Sequence, residues 1–329
     1  MRESRYIYPY SNTIICIEES KLLKQFQYDI VHDAPDIWTA LAELNKMNYF
    51  HTYENADVDN YSTILDGLMK DTFTLMKEIV PDRRLWRMFA LYYDIHNMKL
   101  VAKERHSGRR HDRLAMSYGS YSLPTIRSAA VRESDDILEN AALTAGFFEA
   151  LRAEEMYDID FILDRTYFRA LSQLVEQLGC PGIARFVLEK TDLYNVSVFF
   201  QAMAAGNPKW YFPKAFSDQG SYTLREWQAY IGGDMSGLRD FPLWRKYSLI
   251  WEAAESRRQL SEELDVLIDN YLISKTKACK LMAFGIEPIC AYFFNKSMEI
   301  TNIRILLAGK KSGYSAFEIK RRMRIPYEL

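Results

Sequence analysis

The chain carries one short motif three times, at steps of about a hundred residues. In Asp94-Ile-His-Asn97, Asp192-Leu-Tyr-Asn195 and Glu299-Ile-Thr-Asn302, an acidic residue stands three positions before an Asn. A Gly follows each Asn by eleven positions. The nine motif residues are Asp94, Asn97, Gly108, Asp192, Asn195, Gly206, Glu299, Asn302 and Gly313.

Two further markers recur in the same order as this motif. Ile64-Leu65-Asp66 and Ile162-Leu163-Asp164 each place their Asp 31 positions before the Asn, and Leu267-Ile268-Asp269 is a looser third copy. Downstream, Gly119-Ser-Tyr-Ser-Leu123 is echoed by Gly220-Ser-Tyr-Thr-Leu224 and, in shortened form, by Gly313-Tyr-Ser315. Markers that keep one order at a regular step indicate a triplicated unit.

We therefore predict three helical repeats, at residues 1–127 with an N-terminal lead segment, 128–237 and 238–329. A chain of 329 residues is long enough for three units of this size. A triplicated unit can close around an axis. This favours a protein that holds or couples other molecules over a catalyst.

The composition and the pattern of apolar residues predict helices throughout. Only 14 Gly and 10 Pro are present, and the positions two before and one, four and five after each motif Asn are apolar in all three copies, which is a helical stripe. These helices should begin near Asp82, Gly182 and Pro288 and end at or before the recurring Gly.

An Asn within a helix is unfavourable, because its side chain competes for backbone hydrogen bonds. The acidic residue three positions earlier lies on the same helical face, so the pair can bond the backbone of an adjoining helix end or loop. The alternative, a carboxylate–amide active site, is disfavoured because three symmetric copies do not make one asymmetric pocket. Capping boxes at Thr223 and Ser315 and an N-cap at Ser122 predict helices after each Gly. The third repeat is expected to lack the long connection that precedes this helix.

Charge is uneven along the chain although the formal net charge is only −2. Residues 83–113 and 296–324 each carry an excess of six positive charges and surround copies of the motif. Their clustering suggests partner contacts, while the alternative is a pair of solvated helix faces. The candidate contact residues are Arg83, Arg84, Arg87, Lys320, Arg321, Arg322 and Arg324.

Motifs for catalysis are missing from the sequence. It has no glycine-rich phosphate loop, zinc-ligand spacing or Gly-x-Ser-x-Gly, so we predict no catalytic, cofactor-binding or metal-binding residue. Four scattered Cys indicate a reducing compartment. The N-terminus lacks a signal-peptide core, and no stretch is apolar enough to cross a bilayer, so membrane association is expected through partners.

The ordered set of motifs resembles a known family. Besides the triple motif, it includes the opening Tyr8-Pro-Tyr10-Ser-Asn12-Thr-Ile14 and the later Leu163-Asp164-Arg-Thr-Tyr167-Phe168. Together these residues resemble the C subunit of the archaeal and bacterial V/A-type rotary ATPases, whose eukaryotic counterpart is the d subunit of the vacuolar ATPase. The resemblance extends from about Tyr8 to the C-terminus.

This resemblance implies an all-α fold of three pseudo-symmetric helical bundles around a central cavity, shaped like a funnel. It also implies a non-catalytic subunit of the central stalk, on the cytoplasmic face of the membrane. Its partners would be the shaft subunits, held in the cavity, and the membrane proteolipid ring, met through its cytoplasmic loops. Nucleic acid is not an expected partner, and neither a cofactor nor a direct membrane span is expected.

Two other classes stay open at this point. One is a generic all-helical scaffold that binds another protein in a concave face, although stacked helical repeats usually have a shorter period of about 34 to 47 residues. The other is an enzyme whose site assembles from scattered residues. The first thirty residues are expected to form a helix that packs against the third repeat and closes the ring.

Overall fold

The predicted all-α class is confirmed. The computed structural model describes residues 8–53, 56–133, 138–231, 237–255 and 261–327, and within these ranges the chain forms α-helices, short 3-10 turns and no strand. Among the described residues, no helix is long and apolar enough to span a membrane.

The three α-helices that carry the repeated motif are 24 or 25 residues long. In chain order they are α1 (Pro9–Ser20), α2 (Gln25–Asp33), α3 (Ile37–Lys46), α4 (Tyr61–Ile79), α5 (Arg83–Ser107), α6 (Leu123–Arg132), α7 (Ala141–Leu151), α8 (Met156–Leu178), α9 (Pro181–Ala204), α10 (Pro208–Ala215), α11 (Leu224–Gln228), α12 (Pro242–Lys246), α13 (Ser248–Glu255), α14 (Ser261–Thr276), α15 (Glu287–Lys311) and α16 (Ala316–Arg322). We call α5, α9 and α15 the spine helices, because each carries one copy of the motif.

The chain divides into two compact units, named here for their place in the sequence. The terminal unit combines Met1–Pro81 with Glu262–Leu329, and the central unit is Asp82–Ser261. A division by compactness does not test the three repeat boundaries, which stay a prediction.

Each spine helix begins and ends where the sequence predicts. Asp82 caps α5 by accepting a hydrogen bond from the Arg84 backbone N–H at 2.9 Å, and Pro occupies the first turn of both α9 and α15. The Gly after each helix has a φ of 69°, 72° or 73°. A positive φ is accessible to Gly without the steric cost that a side chain brings, so the recurring Gly ends the spine.

In the central unit, α8 packs along α5, α7 and α9. Its buried face is apolar and includes Ile159, Leu163 and Leu171. Helices α7 and α8 approach closely at Gly146, where a Cβ atom would overlap the side chain of Thr166. The absence of a side chain at Gly146 therefore permits this contact.

In the terminal unit, α15 packs against α1, α3, α4 and α16. The Ser11 hydroxyl donates to the Ile79 carbonyl at 2.5 Å, and the Asn12 amide donates to the carbonyls of Ala283 and Gly285 at 3.2 and 3.1 Å. The expected helical packing of the N-terminal segment on the third repeat is confirmed for its described part. Residues 1–7 lie outside that part, and closure of a ring stays a prediction.

The close contact at Gly146 gives a stability prediction. We expect Gly146→Ala to lower the free energy of unfolding by about 2 kcal/mol, because overpacking at a helix contact forces the neighbouring side chains apart. Urea denaturation measures the effect. In a Thr166→Ala background, the same substitution should cost much less, since the overlapping side-chain atoms are gone; an equal cost in both backgrounds would contradict this explanation.

Candidate functional site

Each motif Asn makes two hydrogen bonds to the backbone of a single downstream residue. The side-chain N–H donates to that residue's carbonyl, and the side-chain oxygen accepts from the same residue's N–H. The pairs are Asn97 with Met116 at 2.8 and 3.0 Å, Asn195 with Ser217 at 2.9 and 2.9 Å, and Asn302 with Arg324 at 2.9 and 2.8 Å. We call this arrangement the Asn clamp.

The Asn clamp explains why an unfavourable residue recurs in three helices. Asn97, Asn195 and Asn302 are at most 1% exposed, so each amide needs protein partners for both its donor and its acceptor. A residue offers one backbone acceptor and one backbone donor, and a side-chain amide can bind both. Asp could not donate, and Leu would leave the facing backbone groups unpaired.

The acidic residue of each motif binds a second backbone position. Its carboxylate accepts an N–H that lies just before a short helix: α6 in the first repeat, α11 in the second and α2 in the third. The bonds are Tyr121 N–H to Asp94 at 3.0 Å, Ser221 N–H to Asp192 at 2.6 Å and Leu23 N–H to Glu299 at 2.6 Å. The partner of Glu299, Leu23, lies in the N-terminal segment and is 276 residues away in sequence.

Helix α2 in the third repeat occupies the place that α6 has in the first repeat, and a second contact supports this correspondence. The cation eight positions after the Asn donates to a carbonyl at the C-terminal end of the short helix. Arg105 binds the Ala130 carbonyl at 3.0 Å, and Lys310 binds the His32 carbonyl at 2.8 Å. The spine therefore holds the short helix at both ends in the first and third repeats, and the N-terminal segment completes the third.

The expected absence of a long connection before the helix at Ser315 is confirmed, because α16 begins three residues after Gly313, but this helix does not correspond to α11. Arg324 follows Asn302 by 22 residues, as Ser217 follows Asn195 by 22. Helix α16 thus stands where α10 stands in the second repeat, between the Gly and the clamped residue. Among the residues described after Arg324, which end at Tyr327, no short helix follows the clamped residue. One residue in the sequence marks this difference. The third motif has Glu299 where the other two have Asp, and its longer side chain binds the backbone of Leu23 in the N-terminal segment.

The capping boxes at Thr223 and Ser315 and the N-cap at Ser122 are confirmed. The Gly-Ser-Tyr marker also has a structural cause. A Cβ atom at Gly119 would overlap the Asp94 carboxylate, and one at Gly220 would lie 3.0 Å from both the Asp192 carboxylate and the Asn195 amide. Gly is therefore needed where the acid approaches the backbone.

The Asp markers of the first two repeats each pair with a cation two positions after a motif Asn. Asp66 on α4 binds Arg304 on α15 at 2.8 Å, and Asp164 on α8 binds Lys99 on α5 at 2.7 Å. Asp164 of the second predicted repeat thus binds the spine helix of the first repeat. Asp66 of the first repeat binds the spine helix of the third, which precedes the first when the three repeats are counted in a circle. Asp269 instead pairs with Arg324 at 2.9 Å, and the position two after Asn195 is Ser197, which carries no charge.

The three acids have different surroundings. Burial raises the pKa of the Asp94 carboxyl to about 6, and the bonds from Tyr121 and Ser120 only partly oppose this shift. Asp192 has more donors, since it also accepts from the Ser221 hydroxyl at 2.7 Å and the Tyr247 hydroxyl at 3.3 Å. Glu299 forms an ion pair with Lys296 at 2.5 Å.

The seven candidate contact cations fall into three groups. Arg84, Arg87, Arg321 and Arg324 form ion pairs within their own unit, with Asp82, Glu139, Glu263 and Asp269 respectively. The Arg322 guanidinium lies 5.0 Å from the centre of the Tyr314 ring. Arg83 and Lys320 are exposed and form no ion pair with the described residues. The last two are the most available to a partner.

The site binds the chain's own backbone. Each Asn clamp uses both polar atoms of its amide, and each acid accepts at least one N–H. Within the described ranges, no group of three or more His, Cys, Asp or Glu side chains is placed to hold a metal ion. The motif therefore fixes the connections that join the spine helices to the short helices.

The fold and the motif define an all-α protein built on three matched spine helices. Residues 11–322 match the family model described as ATP synthase (C/AC39) subunit. Because this match extends over nearly the whole sequence, the chain belongs to that family. It is a subunit of a rotary ATPase, and its partners are other subunits of that complex.

Several relatives carry the same designation. The C subunit of the V-type sodium ATPase of Enterococcus hirae is 26% identical over 285 residues, which cover 85% of this chain and 86% of the relative. The C subunit of the A-type ATP synthase of Methanococcoides burtonii is 23% identical, with 79% and 76% covered. That of Methanocaldococcus jannaschii is 21% identical, with 95% and 85% covered.

The Asn clamp gives a prediction about stability. We expect Asn195→Asp to lower the free energy of unfolding by about 3 kcal/mol, because the Ser217 carbonyl loses its donor and a second buried carboxylate is placed near Asp192. Chemical denaturation followed by circular dichroism measures the loss. Asn207→Asp is the matched control, since Asn207 is exposed at the N-cap of α10; an equal loss in both variants would contradict the role of the clamp.

The raised pKa of Asp94 predicts a pH dependence. The folded state holds this proton more tightly than the unfolded state, whose pKa stays near 3.8, so Asp94 adds stability as the pH falls and removes it as the pH rises through about 6. Between pH 7 and pH 5 the gain should be about 1 kcal/mol. We expect Asp94→Asn to abolish this gain and exposed Asp240→Asn to keep it, as measured by urea denaturation at both pH values.

Proposed function

We propose that the protein is a non-catalytic central-stalk subunit of a V/A-type rotary ATPase. In this role it couples the shaft subunits to the membrane proteolipid ring during ATP-linked transport of protons or sodium, on the cytoplasmic face of the membrane. The observation that carries the proposal is the family match over residues 11–322. It favours this role over a generic helical scaffold.

The mechanical requirement is to pass torque between a narrow shaft and a wide ring. An element placed between them must resist twisting, and close-packed helices do so because protein interiors have low compressibility. The Asn clamps support this role, because they fix each connection at two points to a buried position on a spine helix. A connection held in this way cannot slide along its spine without breaking both bonds.

The ion pairs of the Asp marker support three bundles around a central cavity as the arrangement. Asp66 with Arg304 and Asp164 with Lys99 link successive repeats in the same cyclic order. These are two of the three links that a closed arrangement of three repeats would use, and Asp269 pairs with Arg324 instead of forming the third. In such a body the cavity would receive the shaft subunits, and the opposite broad surface would meet the cytoplasmic loops of the ring.

The basic residues supply a further element of the proposal. Arg83 and Lys320 are exposed and unpaired among the described residues, so their charges are available to acidic groups on the shaft or the ring. Arg321 is a less informative choice for mutation, because its reversal would also break the ion pair with Glu263. Individual surface pairs are weak, so several must act together.

Co-purification tests the proposed function. We expect the tagged chain, isolated from detergent-solubilised membranes of its source cell, to bring down the other rotary ATPase subunits. Charge reversal at both Arg83 and Lys320 should lower the recovered amount severalfold and make recovery more sensitive to salt. Arg132→Glu is the control, because Arg132 is an exposed cation outside both basic stretches. Recovery of no ATPase subunit would overturn the function, while unchanged recovery of the double variant would overturn only the role of these cations.

A further inference from the structure

The terminal unit displays four consecutive exposed residues, Leu281 to Phe284, between α14 and α15. Leu281 is 82% exposed, Met282 41% and Phe284 54%. Scattered apolar side chains are common on protein surfaces, but a contiguous apolar group indicates an interaction site. We call these four residues the apolar tip.

The apolar tip is held in place by hydrogen bonds on both sides. The Asn12 amide donates to the carbonyls of Ala283 and Gly285, and the Met282 N–H donates to the Cys279 carbonyl at 3.0 Å. Asn12 is buried and lies on α1, which packs against α15. The backbone at the tip is therefore fixed, and its large side chains remain in solvent.

Three lysines precede the apolar tip. Lys275 lies 4.6 Å from the centre of the Tyr271 ring, and Lys280 lies 4.3 Å from that of Tyr327. Lys275, Lys277 and Lys280 form no ion pair within the described part of the chain. The Lys280 ammonium group also donates to the Tyr327 carbonyl at 3.3 Å. Lys275 and Lys277, six and four positions before Leu281, carry the other positive charges of this segment.

The kind of cation helps to identify the occupant of this surface. The cores of protein–protein interfaces are enriched in Arg and depleted in Lys, and the ten residues from Lys275 to Phe284 contain three Lys and no Arg. Lysines beside exposed Leu, Met and Phe instead suit a bilayer surface, where apolar side chains enter the headgroup region and cations meet anionic lipids.

We propose that the apolar tip and Lys275 and Lys277 form a contact with the surface of an anionic lipid bilayer. The tip inserts Leu281, Met282 and Phe284 among the headgroups, while the lysine ammonium groups stay in the aqueous layer near the lipid phosphates. This contact is peripheral and requires no membrane-spanning helix. It goes beyond the proposed function, because the contact is made by this chain's own residues and not through a partner subunit.

Vesicle binding by the purified full chain tests the proposal. We expect the chain to sediment with vesicles containing phosphatidylserine and to bind pure phosphatidylcholine vesicles at least fivefold more weakly. Leu281→Asp with Phe284→Asp should abolish binding, and Lys275→Glu with Lys277→Glu should weaken it by at least about fivefold for each lysine. Trp38→Asp is the control, because Trp38 is 69% exposed elsewhere in the same unit, and it should bind like the unchanged chain.

The other outcomes each overturn the proposal. Absence of binding to phosphatidylserine vesicles, or binding that the tip variants leave unchanged, would exclude the lipid contact. If the tip variants keep vesicle binding but lower co-purification of the ATPase subunits, the tip docks on a protein. Vesicles contain no other subunit, so a failure here is distinct from a failure of the central-stalk function. Circular dichroism checks that the variants remain folded, as expected because Lys275, Leu281 and Phe284 are exposed and Lys277 is partly exposed.

Discussion

The Asn clamp is the interaction on which the remaining structure depends. One buried amide satisfies both the backbone N–H and the backbone C=O of a single residue, and the acid three positions earlier binds a second backbone position. With these bonds in place, the chain beyond each spine returns to a fixed point on it. The Gly residues at 119 and 220 are then required because the acid lies against the backbone.

Much of this arrangement could be predicted from the sequence. The apolar stripe beside each Asn predicts the spine helices, the following Gly predicts their ends, and the recurring Asn indicates a buried polar contact. These inferences work because they depend on residues close together in sequence, where helix periodicity and capping have strong local signals. The family resemblance rests on the same ordered residues.

The permuted third repeat could not be predicted in the same way. Leu23 binds Glu299 through its backbone N–H, and a backbone bond leaves no mark on residue type at that position. The partners are 276 residues apart in sequence, so no local pattern joins them. The lysines and the apolar tip were visible in sequence only as composition, because exposure depends on how Asn12 fixes the loop.

Completion of the third repeat by the N-terminal segment has a consequence for biosynthesis. Ribosomes release α1 and α2 first, but the spine that holds them is translated last, so these helices must wait without their partner for most of synthesis. The continuous central unit has no such delay and can fold while the chain is still growing. A product that terminates before α15 therefore leaves α1 and α2 uncovered, available to chaperones and proteases.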